Sequence, residues 1–189
     1  MKRCRAGLAA LLILGGVMQA KASALDPAYR VIFPAGRAKI LLGPSCAPLP
    51  AKLLASVSGT WTPTNDDIDS LEEQLPEALK IAVGKIPKIG PETVAVLRKP
   101  ETIANHARQY AGIMLSRRKR ILIIAAPIRY VGTNGPYTDF QVQNSSWRGK
   151  HALGACDGDL NQFSAQYDPA NGNFENFVFS SAAGRKSSQ

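Results

Sequence analysis

Two cysteines and one histidine are the side chains best suited to nucleophilic chemistry: Cys46, Cys156 and His151. A thiolate becomes a nucleophile when a nearby histidine accepts its proton, and His151 lies five residues before Cys156. With Asp157 or Asp159 to orient the histidine, such a set could hydrolyse an envelope substrate. The alternative is that the two cysteines form a disulfide, which would leave no thiol for catalysis.

Acidic residues beyond position 156 have part of the spacing of a calcium loop. Positions one, three, five and twelve of such a loop would be Asp157, Asp159, Asn161 and Asp168. Position six holds Gln162 where the turn needs glycine, and the strand-like segment FSAQY follows it. His106 and His151 have no further nitrogen or sulfur ligand at short spacing, which disfavours zinc. We therefore predict no metal site and no cofactor.

Four consecutive cations form the most prominent charged segment of the chain. They are Arg117, Arg118, Lys119 and Arg120, and apolar runs flank them on both sides. They could bind an anionic polymer of the cell envelope. The alternative, which we favour, is a solvated turn that discourages the flanking strands from pairing with other molecules.

A second segment combines aromatic and basic side chains in a stretch rich in Gly, Asn and Ser. Aromatic residues and arginine are enriched at the centres of binding surfaces, and long loops often carry function. The candidate binding surface consists of Arg129, Tyr130, Tyr137, Trp147, Arg148 and Lys150. The alternative is that the aromatic side chains only cover the sheet.

The N-terminal segment has the features of a cleaved signal peptide. Lys2, Arg3 and Arg5 precede the apolar run 6–18, which suits a signal peptide and is short for a membrane span. Small residues at 22–24 predict cleavage after Ala24; a retained anchor is the alternative. We expect a periplasmic or secreted protein with one domain at 25–181, a disordered tail at 182–189 and no membrane span after cleavage.

Export changes how the charges and the cysteines are interpreted. Residues 1–24 hold four of the 23 cations and none of the 14 acids, so the remainder has 19 cations against 14 acids, or +5. This mild excess disfavours nucleic acid as a partner. In an oxidising compartment, the two remaining cysteines favour a Cys46–Cys156 disulfide, worth about 4–5 kcal/mol by chain entropy.

A helix is the clearest element that the sequence predicts. Thr64 and Asp67 have the spacing of a capping arrangement. Apolar residues then recur at helical intervals: Ile68, Leu71, Leu75, Ala78, Leu79 and Ala82. The acids of the first turns predict a solvated face: Asp66, Asp67, Asp69, Glu72 and Glu73. Pro76 predicts a kink or two abutting helices.

Hairpins follow the helix in the sequence. The apolar runs 110–115 and 121–126 have strand length, and the short cationic segment between them predicts a hairpin connection. A second hairpin is predicted at 163–179, where Asp168-Pro169 and Asn171-Gly172 supply turn residues. Short apolar runs at 28–33 and 39–42 are candidates for further strands.

Three motifs together resemble a group of small exported bacterial proteins of unknown function. They are RQYAGI at 108–113, CDGD at 156–159 and YDPANGNF at 167–174. Asp159 stands where that group has the second glycine of a D-G-G loop, and Ala170-Asn171 departs from its usual turn. The resemblance covers roughly Ile103 to the C-terminus, and it implies a fold and an export route without a reaction.

Catalytic fingerprints are missing from the sequence. It contains no G-x-S-x-G elbow, no phosphate-binding loop and no dinucleotide fingerprint, which favours a binding protein over an enzyme. We predict an α+β domain with N-terminal helices packed against an antiparallel sheet built from hairpins. Its expected role is a non-catalytic binding module that inhibits or escorts another envelope or secreted protein. The alternatives are a small-molecule ligand, the Cys156/His151 hydrolase and the anionic-polymer binder.

Overall fold

One mixed sheet of six strands is the centre of the fold. The computed structural model describes residues 25–42, 54–85, 103–128, 145–153 and 162–179. The strands are β1 (Arg30–Phe33), β2 (Val57–Trp61), β3 (His106–Leu115), β4 (Arg118–Pro127), β5 (Phe163–Asp168) and β6 (Asn173–Phe179). The helices are α1 (Lys39–Leu42), α2 (Asn65–Gly84) and α3 (Ser145–Arg148). The predicted α+β class is confirmed.

Strand β3 organises the sheet. The strand order is β1-β3-β4-β5-β6, and β2 also pairs with β3. Strand β1 runs parallel to β3 along 108–111, and β2 runs antiparallel to it along 112–115. The two short strands therefore share one edge of β3, while β4 occupies the other edge. The sheet is mixed, so the prediction of a purely antiparallel sheet was wrong for β1.

The first predicted hairpin is confirmed, with a tighter turn than the sequence suggested. Strands β3 and β4 pair from His106↔Pro127 to Leu115↔Arg118, which leaves only Ser116 and Arg117 in the turn. Both have positive φ, 48° and 65°. A two-residue turn of this kind matches the right-handed twist of the flanking strands.

The second predicted hairpin is also confirmed. Strands β5 and β6 pair from Phe163↔Phe179 to Asp168↔Asn173. The carbonyl oxygen of Asp168 accepts hydrogen bonds from the backbone N–H groups of Asn171 and Gly172. Gly172 has a φ of +67°, a conformation that side-chain-bearing residues rarely adopt.

Helix α2 packs on one face of the sheet. The Thr64 hydroxyl accepts a bond from the Asp67 N–H at 3.1 Å, and the Asp67 carboxylate accepts one from the Thr64 N–H at 2.8 Å. This reciprocal capping box confirms the predicted start. The helix continues through Pro76 without a break, so the alternative of two abutting helices was wrong. Its apolar stripe buries Ile68, Leu71, Leu75, Leu79 and Val83 against strands β3, β4 and β5, and this burial offsets the cost of the proline.

A second apolar cluster covers the opposite face. Ala107 and Leu122 of the sheet pack there with Ala38 and Leu41 from the segment around α1. The run at 39–42 was predicted as a strand, and the structure corrects this to a helical turn. In a helical turn, residues three apart lie on the same side, so Ala38 and Leu41 both reach the sheet.

Several predictions concern residues outside the described ranges. These include the signal peptide at 1–24, both cysteines of the predicted disulfide, the CDGD motif and the tail at 182–189. Among the described residues, no helix is long and apolar enough to cross a membrane.

Candidate functional site

A cleft lies at the end of the sheet where the turns of both hairpins and the start of α2 meet. Its volume is about 640 Å³. The lining residues that bear on function are Trp61, Arg118, Lys119, Arg120, Asp168 and Ala170. We call it the hairpin-tip cleft.

Trp61 forms an aromatic wall of this cleft. Its indole N–H donates to the carbonyl oxygens of Ile113 and Arg120, at 3.2 and 3.3 Å. The ring lies across Gly112, where an added Cβ would fall 2.7 Å from ring carbons. The ammonium nitrogen of Lys119 sits 4.6 Å from the ring centroid, within the range of a cation–π interaction. The ring is therefore held in one position and carries a cation on its face.

An ion pair joins the two hairpin tips. The Arg120 guanidinium lies 2.8 Å from the Asp168 carboxylate, and Asp168 is almost fully buried. The same carboxylate accepts bonds from the Ala170 N–H and from the Asn171 side-chain amide, both at 3.0 Å. The solvated-turn interpretation is therefore wrong for Arg120. Arg117, Arg118 and Lys119 are exposed as predicted, so two cations in the cleft lining remain available to a ligand.

A second polar cluster is buried between α2 and the sheet, and we call it the Glu72 network. Glu72 is 1% exposed, which corrects its assignment to a solvated helix face. One carboxylate oxygen accepts bonds from Arg108 Nε at 2.9 Å and from the Tyr110 hydroxyl at 2.7 Å. The other accepts a bond from Arg30 Nη2 at 2.6 Å, and Arg30 also pairs with Asp69.

Arg108 is hydrogen-bonded at each of its three guanidinium nitrogens, whereas the Nε of Arg30 is buried without a hydrogen-bond partner among the described residues. The remaining Arg108 nitrogens donate to the carbonyl oxygens of His106 and Asp26, at 2.6 and 2.7 Å. Burial, together with the charge of Glu72, raises the pKa of Tyr110 well above its ordinary value. The cluster therefore fixes α2 and β1 on β3, and its role is positional.

The candidate binding surface is only partly within the described residues. Arg129, Tyr130 and Tyr137 lie outside them, as does the side chain of Trp147. Lys150 is exposed, whereas Arg148 is 1% exposed and donates from Nη2 to the carbonyl oxygen of Ala28 at 2.9 Å. The surface as a whole stays a prediction, and Arg148 lies in the interior.

Few of the residues proposed for the nucleophile and for the metal site lie within the described ranges. His151 is exposed, and its backbone carbonyl accepts a bond from Gln109, while Cys156, Asp157 and Asp159 lie outside the described residues. The hydrolase and the disulfide both stay predictions. Asp168, the last candidate calcium ligand, is paired with Arg120. Within the described ranges no cluster of three or more His, Cys, Asp or Glu residues could hold a metal.

Sequence reasoning missed three of these features, and two of them left a signal. Glu72 lies four residues after Ile68 and three before Leu75, on the apolar stripe of α2. Arg108 precedes Tyr110 by two residues and therefore shares its face of β3. Trp61 had no local signal, because its partners lie on strands distant in sequence.

No protein-family model matches the chain, and no curated protein or solved structure is detectably similar to it.

Proposed function

We propose that the chain is an exported, non-catalytic binding module that docks another envelope or secreted protein at the hairpin-tip cleft. The observation that carries this proposal is the juxtaposition of Trp61 with the exposed cations Arg118 and Lys119 in one open cleft. Tryptophan and arginine are the residues most enriched at the energetic centres of protein interfaces. By binding, the module would inhibit or escort its partner.

The scaffold supports a preformed docking site. Trp61 and Arg120 are both fixed by hydrogen bonds or an ion pair to neighbouring strands, so little side-chain entropy remains to be lost on binding. The Glu72 network holds α2 against the same sheet. We further propose that N-terminal helices pack on the sheet and maintain the geometry of the cleft.

The charge pattern favours a protein over a polymer as the partner. Arg120 is neutralised by Asp168. The row of four cations in the sequence is therefore not a row of four charges in space, as a polyanion track would require.

Site-specific photocrosslinking tests the proposal. The photoreactive residue p-benzoylphenylalanine replaces Ala170, which is exposed and lines the cleft, or the exposed Ile81 as the matched control. Ile81 lies 14 residues beyond Asp67, which is about 21 Å along the helix. In the native host, we expect one adduct with another exported protein at Ala170 and none at Ile81.

Charge variants decide whether the adduct depends on the cleft. Arg118→Gln combined with Lys119→Gln should abolish the adduct, and Arg117→Gln should leave it intact because Arg117 sits on the turn outside the lining. Equal loss in both variants would count against the cleft. The small-molecule alternative is supported if adduct formation at Ala170 is blocked by a host extract freed of macromolecules.

An anionic polymer is the second candidate, because Arg117, Arg118 and Lys119 are all exposed at one tip. Retention on an anionic polymer at increasing salt concentrations separates the two proposals. A polymer binder would lose affinity steeply with salt, and the Gln variants would flatten that dependence. Salt-insensitive retention that is the same in all variants would eliminate this candidate.

A further inference from the structure

Arg148 is a buried cation with unused hydrogen-bonding capacity. The residue is 1% exposed, and within the described part of the chain its side chain makes one hydrogen bond, from Nη2 to the Ala28 carbonyl oxygen. Nε and Nη1 are both buried and have no hydrogen-bond partner among the residues that the structure describes. These two nitrogens lie on different edges of the guanidinium plane, so two separate directions lack an acceptor.

No counter-charge compensates for this burial within the described residues, where Arg148 forms no ion pair. Desolvation lowers the pKa of Arg148, and the nearby charge of Arg108 lowers it further. The Tyr29 ring, 5.5 Å from the guanidinium carbon, supplies the one cation–π contact. Leaving buried donors unpaired destabilises a fold, and the cost is larger for a charged group.

The surroundings of Arg148 add positive charge. Arg37 is exposed and donates from Nη2 to the carbonyl oxygen of Gly149 at 2.6 Å, and Lys150 is exposed one residue further on. Two exposed cations therefore lie beside the buried guanidinium. Such an arrangement raises the local concentration of anions.

The segment that carries Arg148 is fixed to the sheet by one side chain. Gln109 Nε2 donates to the carbonyl oxygens of Arg148 and His151, both at 2.6 Å. Its Oε1 accepts a bond from the Leu153 N–H at 2.6 Å. Gln109 is completely buried on β3, so the guanidinium is anchored to a rigid strand.

We propose that Arg148 is the centre of an oxyanion-binding site on the face of the sheet opposite α2, which takes the carboxylate or phosphate group of a small ligand. The oxygens of the ligand would accept hydrogen bonds from the N–H groups at Nε or Nη1. Arg37 and Lys150 would attract the ligand. The site is separate from the hairpin-tip cleft, and it stands or falls independently of that proposal.

Calorimetric titration of the full chain tests the site. The probes are inorganic phosphate, acetate and succinate, each against chloride at matched ionic strength. We expect at least one of these anions to bind. The Arg148→Met variant should bind that anion at least about tenfold more weakly, because a buried charge-assisted hydrogen bond is lost. Phosphate binding alone would assign a phosphate ligand, carboxylate binding alone a carboxylate ligand, and both would assign the shared oxyanion chemistry.

Two controls keep the test interpretable. Lys85→Gln removes an exposed cation at the end of α2, on the other face of the sheet, and should leave the affinity unchanged. If Arg148→Met does not fold, the Nε–H resonance of Arg148 in the unmutated protein supplies the readout. It should shift on addition of the bound probe. Binding that is equal in Arg148→Met, an unmoved resonance or no binding by any probe would overturn the proposal.

Discussion

Arg108 and Arg148 are both fully buried arginines, and they lie on opposite faces of the same sheet. Arg108 uses all three nitrogens, on Glu72 and on two backbone carbonyls. Arg148 uses one. Every guanidinium nitrogen of Arg108 has an acceptor, whereas two of the three nitrogens of Arg148 have none among the described residues.

The difference separates two reasons for burying a charge. A buried ion pair with every donor satisfied fixes the relative position of the elements that supply it. A buried cation without a counter-ion weakens the fold, and its retention needs another reason, such as a ligand. The helix side of the sheet is therefore the structural face, and the α3 side is the candidate ligand face.

Glu72→Gln gives the largest expected effect. It leaves the buried Arg108 without its anion and removes one of the two carboxylates that pair with the partly buried Arg30, so we expect a loss of about 3–5 kcal/mol in the free energy of unfolding, measured in urea. The control is Glu77→Gln, whose partner Lys80 is half exposed; it should change stability by less than about 0.5 kcal/mol. Similar losses in both variants would mean that the network does not fix α2.

Methionine at each buried arginine compares the two faces directly. Arg108→Met should cost about 2–4 kcal/mol, because Glu72 and two carbonyl oxygens lose a donor. Arg148→Met should lie within about 1 kcal/mol of the wild type or stabilise the ligand-free protein, because it removes unpaired buried donors. The measurement is urea unfolding without added oxyanions. A larger cost for Arg148→Met would reverse the comparison.

Gly112→Ala tests how tightly the Trp61 ring packs against β3. The new methyl would meet the Trp61 ring and backbone, so we expect a loss of about 1–3 kcal/mol together with a changed tryptophan fluorescence. Gly59→Ala is the control, because its Cβ would be 3.6 Å from the flexible Met114 side chain. If both variants behave alike, the ring is not held as tightly as its geometry indicates.

Alkaline pH should weaken the structural face. Burial raises the pKa of Tyr110, so the folded protein keeps the hydroxyl proton at a pH where the unfolded chain loses it. The contribution of Tyr110 to the free energy of unfolding is complete at pH values below the ordinary tyrosine pKa of 10.0. Above that pH it falls by up to about 1.4 kcal/mol per pH unit. Tyr110→Phe should show a shallower decline above this pH. Parallel stability–pH curves would contradict the assignment.

The parts of the fold that the sequence predicted are those with local signals. Thr64 and Asp67 stand three residues apart and define the start of α2, and the turn residues of both hairpins lie between apolar runs. Strand β1 was found, but its parallel pairing was not, because direction depends on a strand 78 residues later (Arg30↔Arg108). The run at 39–42 became helical because tertiary packing against the sheet overrides the propensity of four residues.

The candidate sites were less predictable, because their partners are distant in sequence. Arg120 pairs with Asp168 across 48 residues, so the sequence showed four cations where the structure leaves one neutralised. Glu72 was placed among solvated acids by composition, although its position on the apolar stripe indicated burial. The aromatic and basic segment drew attention to Arg148, and only the three-dimensional arrangement shows that this arginine is buried with no ion-pair partner among the described residues.

The pairing of β1 with β3 has a consequence for the timing of folding. The ribosome makes β1 long before its partner strand β3. Glu72 of α2 is also made before Arg108 and Tyr110, its hydrogen-bond donors on β3. Long-range pairing of this kind forms late, since loop closure must precede it. More than half of the chain therefore emerges before either face of the sheet can close, and the N-terminal half stays without its sheet partner during that interval.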